Sequence, residues 1–257
     1  MLDQKLRKLR LGHAASVLEA HHQSAINSKL GYLEFLEALI DDELSTRENK
    51  GVDKRLRAAR FPLVKTLEEF DFGFQPSIDA MKIKSLASCE FVTRYETVMF
   101  IGPPGVGKSH LATALGVKAC LRGFDVVFAT IQQLASQLNA ALADLSVERL
   151  IEHYLRADLI VLDELGFTPL NKIVADHIFR IVSERYERGS IIVTSNKPFE
   201  LWAEMFTDPI LATAILDRLV HHAHVIPIAG DSYRTKDRRP PNAAAPGKGT
   251  RNAKTPS

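Results

Sequence analysis

The chain has 257 residues, 46% of them apolar and 25% charged, with a formal net charge of +2. Those values suit one large domain or a medium domain with a small one, and they exclude a disordered or fibrous chain. With so little net charge, any nucleic-acid contact has to come from a local basic patch. Two cysteines, Cys89 and Cys120, stand far apart and match no metal-ligand spacing, so they read as reduced thiols. The basic start (Lys5, Arg7, Lys8, Arg10) leads into no apolar signal core, and no apolar run approaches the roughly 18 residues of a membrane span. These features point to a cytoplasmic protein without a membrane partner.

In chain order, residues 1–65 read as an all-helical domain. Leu2, Leu6, Leu9, Val17 and Leu18 recur at helical spacing, and Tyr32 to Ile40 carries a broad apolar stripe. Arg47, Lys50, Lys54, Arg55, Arg57 and Arg60 then crowd one short segment. Lys54, Arg55, Arg57 and Arg60 are the candidate contacts to a nucleic-acid backbone. The other reading of this segment is a solvated helix face. Phe61-Pro62 ends the helix, because proline disfavours helical backbone in the residue before it.

Phe70, Phe72 and Phe74 alternate in a linker and either pack an adenine ring or staple the linker to the core. Residues 77–97 read as a helix whose core contacts are Ile78, Met81, Ile83, Leu86 and Phe91. Apolar runs at 98–101, 125–129, 159–162, 191–194 and 224–228 then alternate with helical segments, one of them from Gln132 to Leu155. That alternation predicts an α/β fold, a parallel five-stranded sheet with helices on both faces. Residues 66–235 form this second domain. From residue 236 to 257 the chain is rich in Pro, Ala, Gly and basic residues, and reads as a disordered basic tail.

The stretch Gly102-Pro103-Pro104-Gly105-Val106-Gly107-Lys108-Ser109 fits the phosphate-binding loop pattern G-x-x-x-x-G-K-[ST], between an apolar strand and a helix. Its glycines let backbone N–H groups turn inward on an anion, and the helix N-terminus favours the same charge. Lys108 is positioned to reach the β- and γ-phosphates, Ser109 to hold Mg²⁺, and His110 closes the nucleotide-binding set. Leu159 to Leu162 is an apolar strand ending in Asp163-Glu164. Asp163 is the second candidate for Mg²⁺ and Glu164 the candidate general base. Asn196 ends another buried strand and is placed to sense the γ-phosphate. Arg218 lies on a helix after Pro209, and Arg234 is a further candidate for reaching phosphate. His221, His222 and His224 have no second ligand cluster at metal spacing, and the first two diverge on a helix. They read as a helix end or a subunit interface.

Together these residues resemble the IstB-like helper ATPases of bacterial insertion sequences, relatives of the DnaC-type helicase loaders in the AAA+ superfamily. Besides Gly102 to Ser109, the matching pieces are Leu162-Asp163-Glu164-Leu165-Gly166, Thr194-Ser195-Asn196, Ala214 to Leu219, His221-His222-Ala223-His224-Val225 and Gly230-Asp231-Ser232-Tyr233-Arg234. Tyr32 to Leu36, Arg57 to Pro62, Phe70-Asp71-Phe72 and Trp202 also match. The resemblance covers residues 1 to about 235. It implies an AAA+ P-loop sheet with another strand between the phosphate-loop strand and the Asp163-Glu164 strand. It further implies ATP hydrolysis, ATP-dependent homo-oligomers on double-stranded DNA, and recruitment of a cognate transposase. By family analogy Arg218 completes a neighbouring subunit's site. The alternative is a DnaC-type loader of a replicative helicase.

Overall fold

The apolar spacing of the N-terminal quarter folds as three helices. In the computed structural model, which describes residues 2–166, 170–204, 206 and 208–238, these are α1 (Leu2–Lys8), α2 (Gly12–Ser28) and α3 (Tyr32–Ala59). Lys29 and Arg60 end α2 and α3 in the left-handed region, so α3 stops two residues before Pro62. Glu43 joins the two helices. It is 4% exposed, accepts the Ala14 N–H at 2.8 Å and the Arg47 Nε–H at 2.7 Å. The end of α3 leaves this pair and joins the core below the sheet through Leu56 and Ala59.

The segment 77–97 differs from the single helix expected of it. It forms α4 (Ala80–Leu86), capped by the Asp79 carboxylate, and α5 (Glu90–Thr93), with Cys89 at φ 59° between them. Within α4, Met81 lies two residues, or about 200°, round the helix from Ile83. Ile78, Ile83, Leu86 and Phe91 are buried, but Met81 is 74% exposed and is no core contact.

The alternating region supplies β1 (Thr97–Ile101), α6 (Lys108–Leu121), β2 (Val126–Thr130), α7 (Ile131–Ala143), α8 (Val147–Leu155), β3 (Leu159–Leu165), α9 (Lys172–Arg185), β4 (Ser190–Ser195), α10 (Pro209–His221) and β5 (Ala223–Pro227). Short 3-10 turns cover Phe199–Glu204 and Tyr233–Arg238. The helix expected from Gln132 to Leu155 is therefore two helices. Leu145 takes a left-handed φ of 60° between them, and the Ser146 N–H closes on the Ala141 carbonyl. Of the tail read as disordered, residues 236–238 belong to the last 3-10 turn, and 239–257 lie outside the described residues.

All strands pair in parallel, in the order β2-β3-β4-β1-β5. β4 thus stands between the phosphate-loop strand and the strand carrying Asp163 and Glu164. The central strands are apolar and buried along nearly their whole length, as helices on both faces require. One face packs α7, α8, α9 and α10 with Trp202 and Phe206; the other packs α4, α5, α6 and the end of α3. At the amino edge Arg185 is 2% exposed and donates to the carbonyls of Tyr154, Ala157, Asp158 and Ser190. No helix among the described residues is long and apolar enough to cross a membrane.

Candidate nucleotide site

The loop after β1 is anchored before it curls. The Gly102 N–H donates to the Ser195 carbonyl at the end of β4, and the Ile228 N–H donates to the Ile101 carbonyl. Gly105 and Gly107 take φ of 83° and 97°, a region that side chains disfavour. Close approach excludes a side chain as well. A Cβ would lie 2.1 Å from the Ile228 oxygen at Gly102 and 2.0 Å from Ser232 Oγ at Gly105. At Gly107 it would lie 2.5 Å from the Phe70 ring. Pro103 and Pro104 form the outer turn of the loop, while Val106 is fully buried and pins it to the core.

Lys108 and Ser109 open α6, where the unpaired N–H groups of the first turn collect. Lys108 is 8% exposed, and its Nζ donates to the Gly102 and Pro103 carbonyls at 2.7 Å each. Burial pushes its ammonium below the ordinary lysine pKa, and the Asp163 charge pulls back the other way. These two carbonyl bonds hold the cation inside the loop, where phosphate oxygens are stronger acceptors.

Three neighbouring strands converge on the next layer. Ser109 Oγ donates to Asp163 Oδ1 at 2.8 Å, and Asp163 is 5% exposed. Thr194 Oγ1 donates to the same carboxylate oxygen at 2.5 Å and accepts the Glu164 N–H at 3.0 Å. Glu164 is exposed although it lies in β3. The β3–β4 register jumps from Leu162↔Val193 to Leu165↔Ser195, and Glu164 takes a φ of 62°. This bulge turns its carboxylate out of the sheet. Asn196 follows β4, and its side-chain oxygen is buried without a hydrogen-bond partner among the described residues.

A cavity of about 620 Å³ opens beside the loop, lined among others by Phe70, Lys108, Ser109, His110, Tyr233 and Arg234. The two readings of the linker aromatics meet here. Phe70 covers Gly107, faces Phe72 and His110 edge-on, and also lines the cavity. Phe74 instead packs edge-on against Tyr233. His110 lines the cavity while its Nε2–H donates to the Thr66 carbonyl at 2.8 Å. Arg234 reaches the cavity because the Tyr233 N–H donates to the Gly105 carbonyl.

Arg218 is not brought to this cavity. It lies on α10, donates to the Ala214 carbonyl and stacks its guanidinium 5.0 Å from the Phe179 ring centre. Of the basic candidates on α3, Lys54 and Arg57 are exposed, together with Lys50 one turn earlier. Arg55 turns inward and donates to the Cys120 carbonyl of α6 at 2.9 Å, so its Nε serves the core. Arg60 is the exposed residue that ends α3.

Thr194 and Gln75 were given no role in the site from the sequence, although Thr194 lies in the matching piece Thr194-Ser195-Asn196. Gln75 is 2% exposed; it donates to the Asp231 carbonyl at 2.7 Å and so holds the segment that crosses the phosphate loop. A polar residue ending a buried strand was the available signal for Thr194. Gln75 had none.

The model of the IstB-like ATP-binding protein family matches residues 4–241. The chain is 45% identical over 238 residues to the IS21 insertion-sequence ATP-binding protein of Pseudomonas aeruginosa, covering 93% of this chain and 90% of that one. It is 35% identical to the IS5376 insertion-sequence ATP-binding protein of Geobacillus stearothermophilus, covering 93% and 95%. Among solved structures it resembles AMPPCP-bound DnaA from Aquifex aeolicus (TM-score 0.56, 23% identity, 69% of this chain and 54% of that one). It also resembles DnaI (TM-score 0.55, 21% identity, 64% and 91%). Those two likenesses show the fold, that of an AAA+ P-loop protein. The chain belongs to the IstB-like ATP-binding proteins of IS21-type insertion sequences.

Proposed function

We propose that the chain is an ATP-hydrolysing helper of transposition that assembles on double-stranded DNA and recruits its cognate transposase. The observation that carries the hydrolytic part is the 2.8 Å contact between Ser109 of the phosphate loop and the buried Asp163. A side chain from the first turn of α6 and one from β3 thereby form a hard oxygen pair next to Lys108, as a Mg²⁺–triphosphate site needs. Magnesium held there supplies charge neutralisation on the phosphoryl oxygens.

In this reading Lys108 exchanges its loop carbonyls for phosphate oxygens. Glu164, set outward by its bulge, orients and deprotonates the attacking water. Asn196 turns its Nδ2–H donors to the γ-phosphate, its side-chain oxygen being left to accept from the attacking water, and Arg234 reaches phosphate from the 3-10 turn. Arg218 acts across a subunit boundary, which its distance from its own chain's cavity supports. The helical part, residues 1–65, offers the exposed basic stripe of Lys54, Arg57 and Arg60 to duplex DNA, and residues 66–235 hold ATP. That its relatives are ATP-binding proteins of insertion sequences supports a transposase as the partner.

The test is particle mass by light scattering on long duplex or single-stranded DNA, with and without ATP, at low and high salt. A large ATP-dependent assembly on duplex DNA that weakens steeply with salt is expected. A small particle indifferent to duplex DNA and ATP overturns the proposal. Preference for single strands together with binding to a replicative helicase assigns the chain to the DnaC-type loaders instead.

A further inference from the structure

We propose that Glu187, His221 and His222 form a binding site for a divalent transition-metal ion of the zinc class, at the joint where α9 and α10 end. Consecutive histidines on a helix point about 100° apart, which is why the sequence argues against a shared ion. The chain does not stay helical there. His221 is the last residue of α10, and His222 leaves the helix at φ −121° and ψ 59°. The two rings consequently sit with centroids 4.1 Å apart. Glu187 comes from the turn after α9, where a left-handed φ of 57° brings its carboxylate to the same place. His222 Nε2 lies 3.5 Å from Glu187 Oε1.

One ligand atom from each of the three residues lies within 4.8 Å of the other two. Three ligands on a tetrahedral zinc ion are separated by roughly 3.4 Å, given bonds of about 2.1 Å. The three side chains are exposed, so small rotations close that difference. Two imidazoles and a carboxylate are also the donor set of three-ligand zinc sites that keep a fourth position for water. Nitrogen ligands select zinc, cobalt, nickel or copper over magnesium, which sets this site apart from the oxygen pair of Ser109 and Asp163. The surroundings orient the ligands. The Tyr186 hydroxyl lies 2.7 Å from His221 Nδ1. With Nδ1–H donating to that oxygen, Nε2 carries the lone pair an ion requires. An ion here ties the end of α10 to the turn after α9.

The experiment uses the full chain, free of any affinity tag and stripped by a chelator, without nucleotide. It titrates Co²⁺, read by visible absorption, and Zn²⁺, read by calorimetry. One equivalent of Zn²⁺ is expected, unaffected by excess Mg²⁺, with a tetrahedral Co²⁺ spectrum and a raised Tm. Glu187→Gln, His221→Ala and His222→Ala should each weaken binding about 100-fold or more, and Tyr186→Phe about 10-fold. Glu187 is an exposed turn residue, so Glu187→Gln keeps the test decisive if a histidine variant folds poorly. No stoichiometric uptake by the wild type overturns the proposal. So does uptake that persists in Glu187→Gln and in the His221→Ala, His222→Ala double variant. That last result points to another cluster such as His13, His21 and Asp42, where both imidazoles meet one carboxylate oxygen.

Discussion

Thr194 Oγ1 lies 2.5 Å from Asp163 Oδ1 and makes one hydroxyl the joint between two carboxylate residues. Its proton goes to the Asp163 side chain, and its oxygen takes the Glu164 N–H. The middle strand β4 thereby sets both the orientation of Asp163 and the backbone bulge that projects Glu164.

Thr194→Val keeps the shape and removes the hydroxyl. The Glu164 N–H and Asp163 each lose a partner, at a cost of about 1–3 kcal/mol. ATP turnover should fall about 10-fold or more while the nucleotide KM changes little, and Thr194→Ser should restore most of it. Steady-state phosphate release measures both. A Thr194→Val enzyme with wild-type kcat would show that the joint plays no part.

Glu164→Gln preserves size and removes the base. Nucleotide binding, followed with a fluorescent ATP analogue, should persist, and turnover should drop about 10²- to 10⁴-fold. Unchanged phosphate release in this variant removes Glu164 from the proposed role.

Gly105→Ala meets a left-handed backbone and Ser232 Oγ at 2.0 Å from the new Cβ. Strain of about 1–3 kcal/mol is expected, together with loss of ATP affinity, because the Ser232 segment must lift from the loop. Calorimetric melting and ATP titration test the two effects separately. The companion variant Ser232→Gly should recover part of the stability.

Arg185 is a buried cation held by backbone carbonyls, and burial lowers its pKa to about 10. Arg185→Met removes the charge and takes a donor from the carbonyls of Ala157, Asp158 and Ser190, of which Asp158 keeps the Ser190 N–H. The variant should lose about 2–4 kcal/mol of stability, read from urea melts. A variant as stable as the wild type would mean that water replaces the guanidinium at no cost.

Asp42 accepts from His21 Nε2 at 3.0 Å, and a second bond comes from His13 at 3.1 Å. The hydrogen bond from His21, then that from His13, holds its carboxyl below the usual aspartate value of 3.8. A carboxyl whose folded pKa is depressed contributes stability above its unfolded value and loses it as pH falls through the folded one. Melts of wild type and Asp42→Asn should therefore differ at about pH 6, and the difference should shrink as pH falls below 3.8. A difference that stays constant across that range contradicts the assignment.

Gly102 to Ser109, Asp163, Glu164 and Asn196 were legible because strand, loop and helix are contiguous at the first, and the others stand within three residues of the end of a buried apolar run. The five strands were legible for the same reason, through apolar runs that a two-faced parallel sheet demands. Met81 was misassigned because α4 begins only at Ala80, after its Asp79 cap, so the helical phase cannot be carried into it from Ile78. The single helix expected over 132–155 failed in the same way, since nothing local announces a left-handed leucine at position 145.

The sequence by itself determined the α/β class, the phosphate loop and the polar residues at the strand ends. These depend on periodicity and on neighbours a few residues apart. Only the tertiary structure decided that Thr194 joins Asp163 to Glu164, that Gln75 holds the Asp231 segment, that Arg55 turns inward to Cys120, and that Glu187 meets His221 and His222. Each of those contacts spans a loop closed by packing. The non-sequential order β2-β3-β4-β1-β5 brings β3, β4 and β1 side by side, and no local pattern encodes which distant side chains that order places within hydrogen-bond reach.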